Sequence, residues 1–596
     1  MRRSGRGEAA AVLVQAREQS RSRELALALL LGLLVFALLF ATRAAEQTRD
    51  SLVYALSAKT GVDLFHPHHL LYSAAIHLSY RALLPFCPGC EAVLAAQLHN
   101  ILWSAAGAAA FFYLIRHLWS TAAAAAATLL LLSLRGFWEL STQTTMYAPS
   151  AALLTLIAAL ALTPREGRLS PGRALLLALL LALAVLYHQS NVLFVLPLAV
   201  VLAARGGREG LKAWALISLG AGALALLAYL LAFLGSGSPG SVGGFIRFCL
   251  AYTEEICLGG QCKASPNEWG SLVNLSPLGL AQLGSSLAWN FAALPDRWES
   301  AGRLAVAAAL LALAGWHLLR LLGGAPQRAV RLFALLWLMV YVLFFFWWLP
   351  SYQHPFVVTL PPVLILALLA LKDLAQKLGL GARAAPAAAA LLILLALPLG
   401  ARNFLARIYP LHASLGDSYQ EASDLSALAP EGCLPLTSYR TWNHLRYYFG
   451  DLEAVQAKHP LSFFYAGETL PAEYRLLETS CLAAAVSFLE PDYVLEDYAS
   501  VTINGYAEPT HWLAYISWLF ALERDENGRV VSGREFSLLH LSEGGPYLVL
   551  QTARQPLDGL EELFLSLDRL LEGQAKPFEA WLSLYAGTGE ADAALE

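Results

Sequence analysis

The chain has 596 residues, of which 57% are hydrophobic and only 14% are charged, and its mean hydropathy is +0.53. This profile excludes an ordinary soluble globular protein. The formal net charge of −4 is too small to indicate a nucleic-acid partner.

Apolar runs long enough to cross a hydrocarbon layer of ~30 Å recur from Leu25 to about Gly400. Most of the acidic residues lie beyond Ala401. We therefore predict an all-α polytopic membrane domain followed by a C-terminal soluble α/β domain. The predicted limits are 1–24 for a basic cytoplasmic segment, 25–401 for the membrane domain and 402–596 for the soluble domain.

The first apolar run follows a basic segment, and Arg43 stands where a cleaved signal would have small residues. A retained signal-anchor helix is the favoured interpretation. Basic residues in short loops favour the cytoplasm, so the N-terminus is predicted inside and the soluble domain outside the plasma (inner) membrane. Eleven spans are predicted near 25–43, 91–115, 118–134, 147–163, 174–187, 190–204, 213–234, 302–322, 331–349, 355–371 and 386–401, with exoplasmic loops at 44–90 and 235–301.

The first outer loop begins with Asp50, which follows the first span by a few residues. A carboxylate there can reach both water and lipid headgroups, as a general base acting on an acceptor hydroxyl must. The alternative is a structural role, either a salt bridge with Arg49 or Arg43 or a helix cap.

The loop continues into His66, Pro67, His68 and His69, and then into a predicted interfacial helix. Its polar stripe, consisting of His69, Ser73, His77 and Arg81, is expected to face water, with leucine and alanine side chains on the opposite face. A histidine metal site is weighed and disfavoured, because no metal-binding spacing supports it.

Two later outer edges are also polar. The stretch 174–204 must turn back at Tyr187–Asn191, where His188 and Asn191 either bind a ligand or only satisfy broken backbone groups. The second edge is WWLPSYQHP, whose tryptophans suit the membrane interface and whose His354 is interpreted chiefly as a turn residue.

All seven cysteines fall outside in this topology, where disulfides persist. Cys257 is predicted to pair with Cys262, and Cys433 with Cys481. The CPGC at Cys87–Cys90 is interpreted as a structural turn, bridged or not, because no second pair stands at zinc spacing.

None of the carboxylates is predicted to lie clearly within a span, which disfavours an ion-coupled transporter. The sequence also shows no internal repeat of the kind transporters use. A lipid or sugar flippase and a membrane assembly factor remain as alternative functions.

The first outer loop, with Asp50, Tyr54, Ala55, Gly61 and the His66-Pro67 pair ahead of an amphipathic segment, resembles that of GT-C membrane glycosyltransferases. It is most similar to the protein O-mannosyltransferase and aminoarabinose transferase group. The chain departs from the group pattern at Ser51, where a second acid is usual, and at His68, which replaces a second proline.

The resemblance implies a sugar donor carried on polyprenyl phosphate, a lipid, glycan or protein acceptor, and inversion at the anomeric carbon. It implies Asp50 as the catalytic base. Other residues implied to contact the donor phosphate or substrate are Arg49, Tyr54, His66, His68, His188, Asn191 and His354. No cofactor is certain, and a divalent cation is left open.

In the soluble part, DSYQEASDLSALAP is predicted to form a helix and YLVLQT a strand. Glu490–Tyr498 and Thr502–Tyr506 are interpreted as strand and turn pieces of an α/β fold. Ser438–Gly450 resembles a strand and Tyr-Tyr turn of the same enzymes. The domain is expected to cover the cavity or select the acceptor.

Overall fold

The computed structural model describes residues 4–163, 169–236, 241–255, 272–324, 326–429, 433–437, 439–450, 455–456, 481–487, 523–524, 530–541 and 547–557. The chain divides into two compact units, the first formed by 1–256 with 269–414 and the second by 257–268 with 415–596. The predicted domain limits at 24, 401 and 402 remain predictions.

The described part of the first unit is built from helices. They are α1 (Ser4–Ala41), α2 (Arg49–Thr60), α3 (Tyr72–Leu83), α4 (Ala92–Leu118), α5 (Thr121–Ser133), α6 (Arg135–Thr142), α7 (Tyr147–Leu162), α8 (Pro171–Tyr187), α9 (Val195–Gly235), α10 (Val242–Glu255), α11 (Pro277–Phe291), α12 (Asp296–Leu322), α13 (Arg328–Trp348), α14 (Leu360–Lys377), α15 (Ala384–Asn403) and α16 (Tyr409–Ala413). Short turns connect several of them: 3₁₀ turns at Pro67–His69, Gln189–Phe194, Leu272–Leu275, His354–Thr359 and Gly381–Arg383, and a π turn at Phe404–Ile408.

Side-chain caps begin several of these helices. The hydroxyls of Thr48, Ser120, Ser170 and Ser276 each accept a hydrogen bond from the backbone N–H three residues ahead. Such caps satisfy backbone donors that the first helical turn leaves open. The alanine- and leucine-rich interiors then favour the helical state.

The chain is an integral membrane protein. Seven described helical stretches are long and apolar enough to cross a membrane, or eight if the pair α5–α6, bent by 67°, forms one span. They are Ser22–Ala41, Ala92–Leu118, Gln189–Gly235, Ser300–Leu322, Arg328–Trp348, His354–Lys377 and Gly381–Leu428. Two shorter apolar helices are α7 and α8. The predicted number of eleven spans is not established by this count.

The long helix α9 folds back on itself at Gly207, whose backbone is non-helical (φ 52°, ψ −125°). The indole Nε1 of Trp214 donates to the carbonyl of Val195 at 2.9 Å, although the two residues are 19 apart in sequence. In a straight helix that separation would span about 28 Å. The stretch is therefore two helices joined by a tight reversal, at a backbone geometry that glycine tolerates.

Helix α3 corrects one expectation about the first outer loop. Of the polar stripe predicted to face water, His69 is 4% and Ser73 is 1% exposed, whereas Leu78 is 68% exposed. This part of the stripe packs against the protein, where α3 contacts α2 and α4, whereas Arg81 is exposed as predicted. His77, also on the stripe, makes a 2.6 Å contact through Nδ1 with the carbonyl of Ala58 on α2.

Asp373 is a buried carboxylate beyond the predicted span 355–371, so the expectation that no carboxylate lies clearly within a span stays a prediction. It belongs to α14 and is 2% exposed. Arg331 donates to it at 2.7 Å and Arg320 at 3.0 Å. These two guanidinium groups compensate for the loss of water around the buried charge.

The second unit contains a six-stranded sheet in the order β2-β1-β3-β6-β5-β4. Its strands are β1 (Cys433–Thr437), β2 (Val455–Gln456), β3 (Cys481–Ser487), β4 (Glu523–Arg524), β5 (Val530–Leu541) and β6 (Tyr547–Leu557). The pairs β1–β2 and β1–β3 are parallel, and the others are antiparallel. The strand predicted at YLVLQT is confirmed as the start of β6, but Glu490–Tyr498 and Thr502–Tyr506 lie outside the described residues.

In the described part of the second unit, two helices accompany the sheet, α17 (Asp417–Leu428) and α18 (Tyr439–Tyr448). The first confirms the predicted helix. The strand and turn expected at Ser438–Gly450 are wrong, because Thr441, His444 and Leu445 are buried at helical spacing.

The three predictions about the cysteines have different outcomes. Cys87 and Cys90 form a disulfide, which settles the open question of the CPGC turn. The register of β1 and β3 places Cys433 opposite Cys481, and their disulfide remains a prediction. The pair Cys257 and Cys262 lies outside the described residues.

Candidate active site at the first outer loop

Asp50 lies in the first turn of α2, and this helix is held firmly at its beginning. The hydroxyl of Thr48 caps the helix, accepting from the N–H of Ser51 at 3.2 Å. The Ser51 hydroxyl donates to the carbonyl of Thr144 at 2.9 Å. Thr48, not Asp50, is therefore the cap of α2, and Ser51, where the chain departs from the pattern that it resembles, has a structural contact.

The segment Thr142–Met146, against which α2 rests, is fully buried and changes from helix to extended backbone. Two amides of α4 satisfy its carbonyls. Gln97 donates to Thr142 at 2.9 Å, and Asn100 donates to Gln143 at 2.6 Å and to Thr145 at 2.8 Å. Irregular backbone inside a membrane protein needs such internal partners.

Tyr352 contacts Asp50 from a distant part of the chain. Its hydroxyl donates to Oδ2 of Asp50 at 3.2 Å, across 302 residues of sequence. The Tyr352 ring meets the edge of the Tyr147 ring at 5.9 Å and lies 5.1 Å from the His354 ring. The WWLPSYQHP edge thus lies beside the first outer loop. His354 contacts the Tyr352 ring there, and its interpretation as a turn residue stays a prediction.

Four histidines form a cluster on the other side of Tyr147. The ring of His66 stacks on His69 at 4.5 Å and lies 6.3 Å from His68, which in turn lies 6.1 Å from His188. The Tyr147 ring lies 5.2 Å from the ring of His188 and so joins the cluster to Tyr352. We call His66, His68, His69 and His188 the histidine cluster.

Burial keeps three members of the histidine cluster neutral: His68, His69 and His188. It lowers the pKa of His68 to about 3, with smaller contributions from the nearby His188 and His66. Burial likewise lowers the pKa of His188 to about 4 and holds that of His69 well below its usual range. At neutral pH these imidazoles are hydrogen-bonding groups without a charge.

Tyr54 lies one helical turn after Asp50 and connects α2 to the cluster. Its ring meets the edge of His69 at 4.8 Å and of Tyr72 at 5.2 Å. Residues four apart share one face of a helix, so Asp50 and Tyr54 point towards the same region.

Asn191 has a role in the break between α8 and α9. Its amide donates to the carbonyl of Ala184 at 2.8 Å and its oxygen accepts from Tyr341 at 3.3 Å. His188 also contributes to the break, since its Nδ1 accepts from the N–H of Ser190 at 3.3 Å. These contacts favour the backbone-satisfying role for Asn191, whereas His188 combines that role with a place in the histidine cluster.

Glu139 is an acidic residue near the site that the sequence analysis did not select. It is 1% exposed, and its two oxygens accept separately from Arg135 and Arg407 at 3.0 Å. The Arg135 guanidinium lies over the Trp289 ring at 4.4 Å, and that ring lies 5.4 Å from His354. The spacing of Arg135 and Glu139 as an i, i+4 pair in an apolar region was a signal available in the sequence.

Most of the predicted site residues therefore come together. A continuous wall is formed by Tyr147, Tyr352 and six of the predicted residues: Asp50, Tyr54, His66, His68, His188 and His354. Asn191 supports this wall by holding the helix break next to His188. The side chain of Arg49 lies outside the described part of the structure. The roles of all these residues remain predictions.

The described residues contain no group of three or more His, Cys, Asp or Glu side chains that could hold a metal ion. The divalent cation left open by the sequence remains untested.

Solved structures with a similar fold include ArnT from Cupriavidus metallidurans bound to undecaprenyl phosphate, at 14% identity and a TM-score of 0.50, with 88% of this chain and 97% of ArnT covered. The same ArnT in the apo state matches at 12% identity and a TM-score of 0.49, with 89% of this chain and 98% of ArnT covered. The Archaeoglobus fulgidus oligosaccharyltransferase in the apo form matches at 11% identity and a TM-score of 0.49, with 88% of this chain and 74% of that enzyme covered. No protein-family model and no curated protein matches the sequence. The predicted resemblance to GT-C glycosyltransferases is thus confirmed at the level of the fold.

Proposed function

We propose that this chain is an inverting membrane glycosyltransferase of GT-C type, which moves a sugar from a polyprenyl-phosphate carrier to an acceptor hydroxyl on the exoplasmic face. The observation that carries the proposal is the contact of Asp50 with Tyr352, in a wall that also includes the histidine cluster. The fold is shared with ArnT, a protein solved with undecaprenyl phosphate.

In the proposed reaction, Asp50 takes the proton of the acceptor hydroxyl while that oxygen bonds to the anomeric carbon. The bond between the anomeric carbon and the carrier phosphate breaks, and its electron pair leaves with the polyprenyl phosphate. A single displacement inverts the configuration. A positioned carboxylate within hydrogen-bond reach of the hydroxyl is what this step requires.

Asp50 is favoured over Glu139 as the base because of their surroundings. Glu139 is almost fully buried, and both of its oxygens already accept charge-assisted hydrogen bonds from arginines. Asp50 is only half-buried, and it accepts a hydrogen bond from the Tyr352 hydroxyl. In this proposal Glu139 holds Arg135 and Arg407 in place beside His354.

The histidine cluster is the proposed contact for the carrier phosphate. The imidazoles of His68 and His188 are desolvated and neutral, so each offers an N–H donor to an oxyanion without a permanent charge. Arg49 and Tyr54 on α2 and Asn191 at the helix break complete the proposed donor site. The acceptor is a lipid, a glycan or a protein, and the second unit is proposed to select it.

The proposed topology has eleven crossings, with the N-terminus in the cytoplasm and the second unit outside. The reversal at Gly207 supports it by dividing one long helical stretch into two crossings. Counting α5–α6 as one crossing and α7 and α8 as one each then brings the seven candidate spans to eleven.

The test is transfer of radiolabelled sugar from a panel of polyprenyl-phosphate sugars in membranes, with the native chain compared with Asp50→Asn. The matched control is Asp63→Asn, the same change at an exposed aspartate of the same loop. Asp63 has a positive φ of 52°, which asparagine adopts readily, so this control should fold normally.

We expect transfer by the native chain and the control, and loss of transfer with unchanged membrane insertion in Asp50→Asn. Retained transfer in Asp50→Asn would refute Asp50 as the base. A native chain that transfers from no donor would instead favour a flippase or an assembly factor.

A further inference from the structure

We infer that Tyr352 is a positioning residue for the base, holding the Asp50 carboxylate in its reactive orientation. The inference rests on the proposed function. Its starting point is the 3.2 Å hydrogen bond from the Tyr352 hydroxyl to Oδ2 of Asp50.

The loop that carries Tyr352 is held by side chains of one neighbouring segment. Asn274 donates to the carbonyl of Trp347 at 2.8 Å, Ser286 to that of Pro350 at 2.7 Å, and Asn290 to that of Gln353 at 2.8 Å. These three donors are 3%, 0% and 1% exposed. The backbone on both sides of Tyr352 is therefore fixed before any substrate binds.

The ring of Tyr352 is confined as well. The edge of Tyr147 packs at 5.9 Å from one direction and His354 lies at 5.1 Å. Tyr147 is itself 5% exposed and cannot move away easily. With backbone and ring both held, the phenol hydroxyl stays near one position.

The contact with Asp50 is not needed to dock α2. That helix is already attached through the Thr48 cap, through the bond from Ser51 to Thr144, and through Tyr54, whose hydroxyl reaches the Met146 sulfur at 3.7 Å. What the Tyr352 hydroxyl adds is control of the carboxylate itself.

A hydrogen bond from a phenol to a carboxylate has two consequences. It favours the ionised form, which is the form that can accept a proton. It also restricts rotation of the carboxylate, so less reorganisation is needed when the acceptor hydroxyl arrives. Removing the hydroxyl should therefore slow the chemical step and leave donor binding largely intact.

The experiment compares native protein, Tyr352→Phe and the control Tyr113→Phe in the transfer assay, measuring kcat, the KM for the donor and the dependence of kcat on pH. Tyr113 lies near the far end of α4, where its ring contacts His117. For Tyr352→Phe we expect kcat to fall about 10- to 100-fold, the range for one hydrogen bond to a charged group. The KM for the donor should change less than about 3-fold, which would leave most of the effect in the chemical step.

The amount of folded protein distinguishes positioning of the base from support of the fold. The kcat values are compared on the plateau of each pH profile and per folded molecule. A general loss of folded protein would lower the total activity and leave kcat per folded molecule unchanged, whereas loss of positioning lowers kcat itself.

An unchanged kcat per folded molecule, or a KM for the donor that rises as much as kcat falls, would overturn the inference while native transfer and its loss in Asp50→Asn still supported the proposed function. An inactive native chain would overturn both.

Discussion

Among the described side chains of the first unit, two aspartates are buried or half-buried, and they differ in how far they are withdrawn from water. Asp373 is 2% exposed and receives hydrogen bonds from Arg320, Arg331 and Trp316. Asp50 is only half-buried and receives a hydrogen bond from Tyr352. A carboxylate enclosed by arginines stabilises helix packing, whereas a carboxylate that is less withdrawn from water is suited to proton transfer.

The strongest test of this contrast is Asp373→Asn. It should lower the free energy of unfolding by about 3–5 kcal/mol, because it leaves buried guanidinium groups without their charge partner. Transfer activity per folded molecule should remain near native, the reverse of the pattern expected for Asp50→Asn. Thermal unfolding in detergent and transfer by the folded fraction measure the two quantities.

The control for that test is Glu209→Gln, which breaks an exposed pair with Lys212. Exposed pairs add little, so its melting temperature should match that of the native chain. Equal losses in the two variants would show that the buried cluster is no more important than a surface pair.

The next largest expected effect is a dependence of the protein's stability on pH, which the histidine cluster causes. The pKa values of His68 and His188 in the folded state, about 3 and about 4, lie below the value near 6.5 expected in the unfolded chain. In the pH range between the folded and the unfolded pKa values, the unfolded state therefore binds more protons than the folded state. The stabilisation is complete above pH 6.5 and is lost as the pH falls towards 4, by about 2 kcal/mol per histidine at pH 5.

The measurement is the difference in melting temperature between pH 7 and pH 5. A His68→Gln, His188→Gln double variant should show a smaller difference than the native chain. The control His412→Gln changes an exposed histidine and should keep the native difference. An unaltered pH dependence in the double variant would contradict the neutral state of the cluster.

A smaller effect is expected at Gly136, the residue after Arg135 in α6. A Cβ atom there would lie 2.0 Å from Oδ1 of Asn290, which holds the loop of Tyr352. Gly136→Ala should cost about 1–3 kcal/mol in stability through overpacking. It should also lower transfer, because the displaced Asn290 releases the carbonyl of Gln353.

The control is Gly222→Ala in α9, where a Cβ would meet nothing within 4 Å. It should be neutral or slightly stabilising, since alanine favours a helix more than glycine. Equal transfer by both variants would mean that Asn290 does not affect the site.

The sequence predicted the parts of the site that depend on local patterns. Three features were visible as interruptions of apolar runs: the polar edge after the first span, the break at Tyr187–Asn191 and the histidines around Pro67. Their convergence could be anticipated only by resemblance to known enzymes, because no local pattern brings α2 and the α13–α14 connection together.

The hydrogen-bonding partners of Asp50 and Glu139 could not be predicted either, because no local pattern indicates contacts over such distances in sequence. Tyr352 reaches Asp50 and Arg407 reaches Glu139 through contacts between residues far apart in sequence. In the second unit, a strand and a Tyr-Tyr turn were expected at Ser438–Gly450 by resemblance to known enzymes, yet Tyr439–Tyr448 is a helix whose buried positions follow the helical period. The period of the buried residues was a better guide there than the resemblance.

The distance in sequence between Asp50 and Tyr352 has a consequence for how the protein is made. A ribosome adding about 5–20 residues per second needs about 15 to 60 s to synthesise the intervening 302 residues. During that interval Asp50 has left the ribosome but the phenol that orients it does not yet exist. A nascent chain that has inserted only its first helices therefore has the Asp50 carboxylate without its orienting hydrogen bond. The candidate site is complete only when the connection between α13 and α14 is in place.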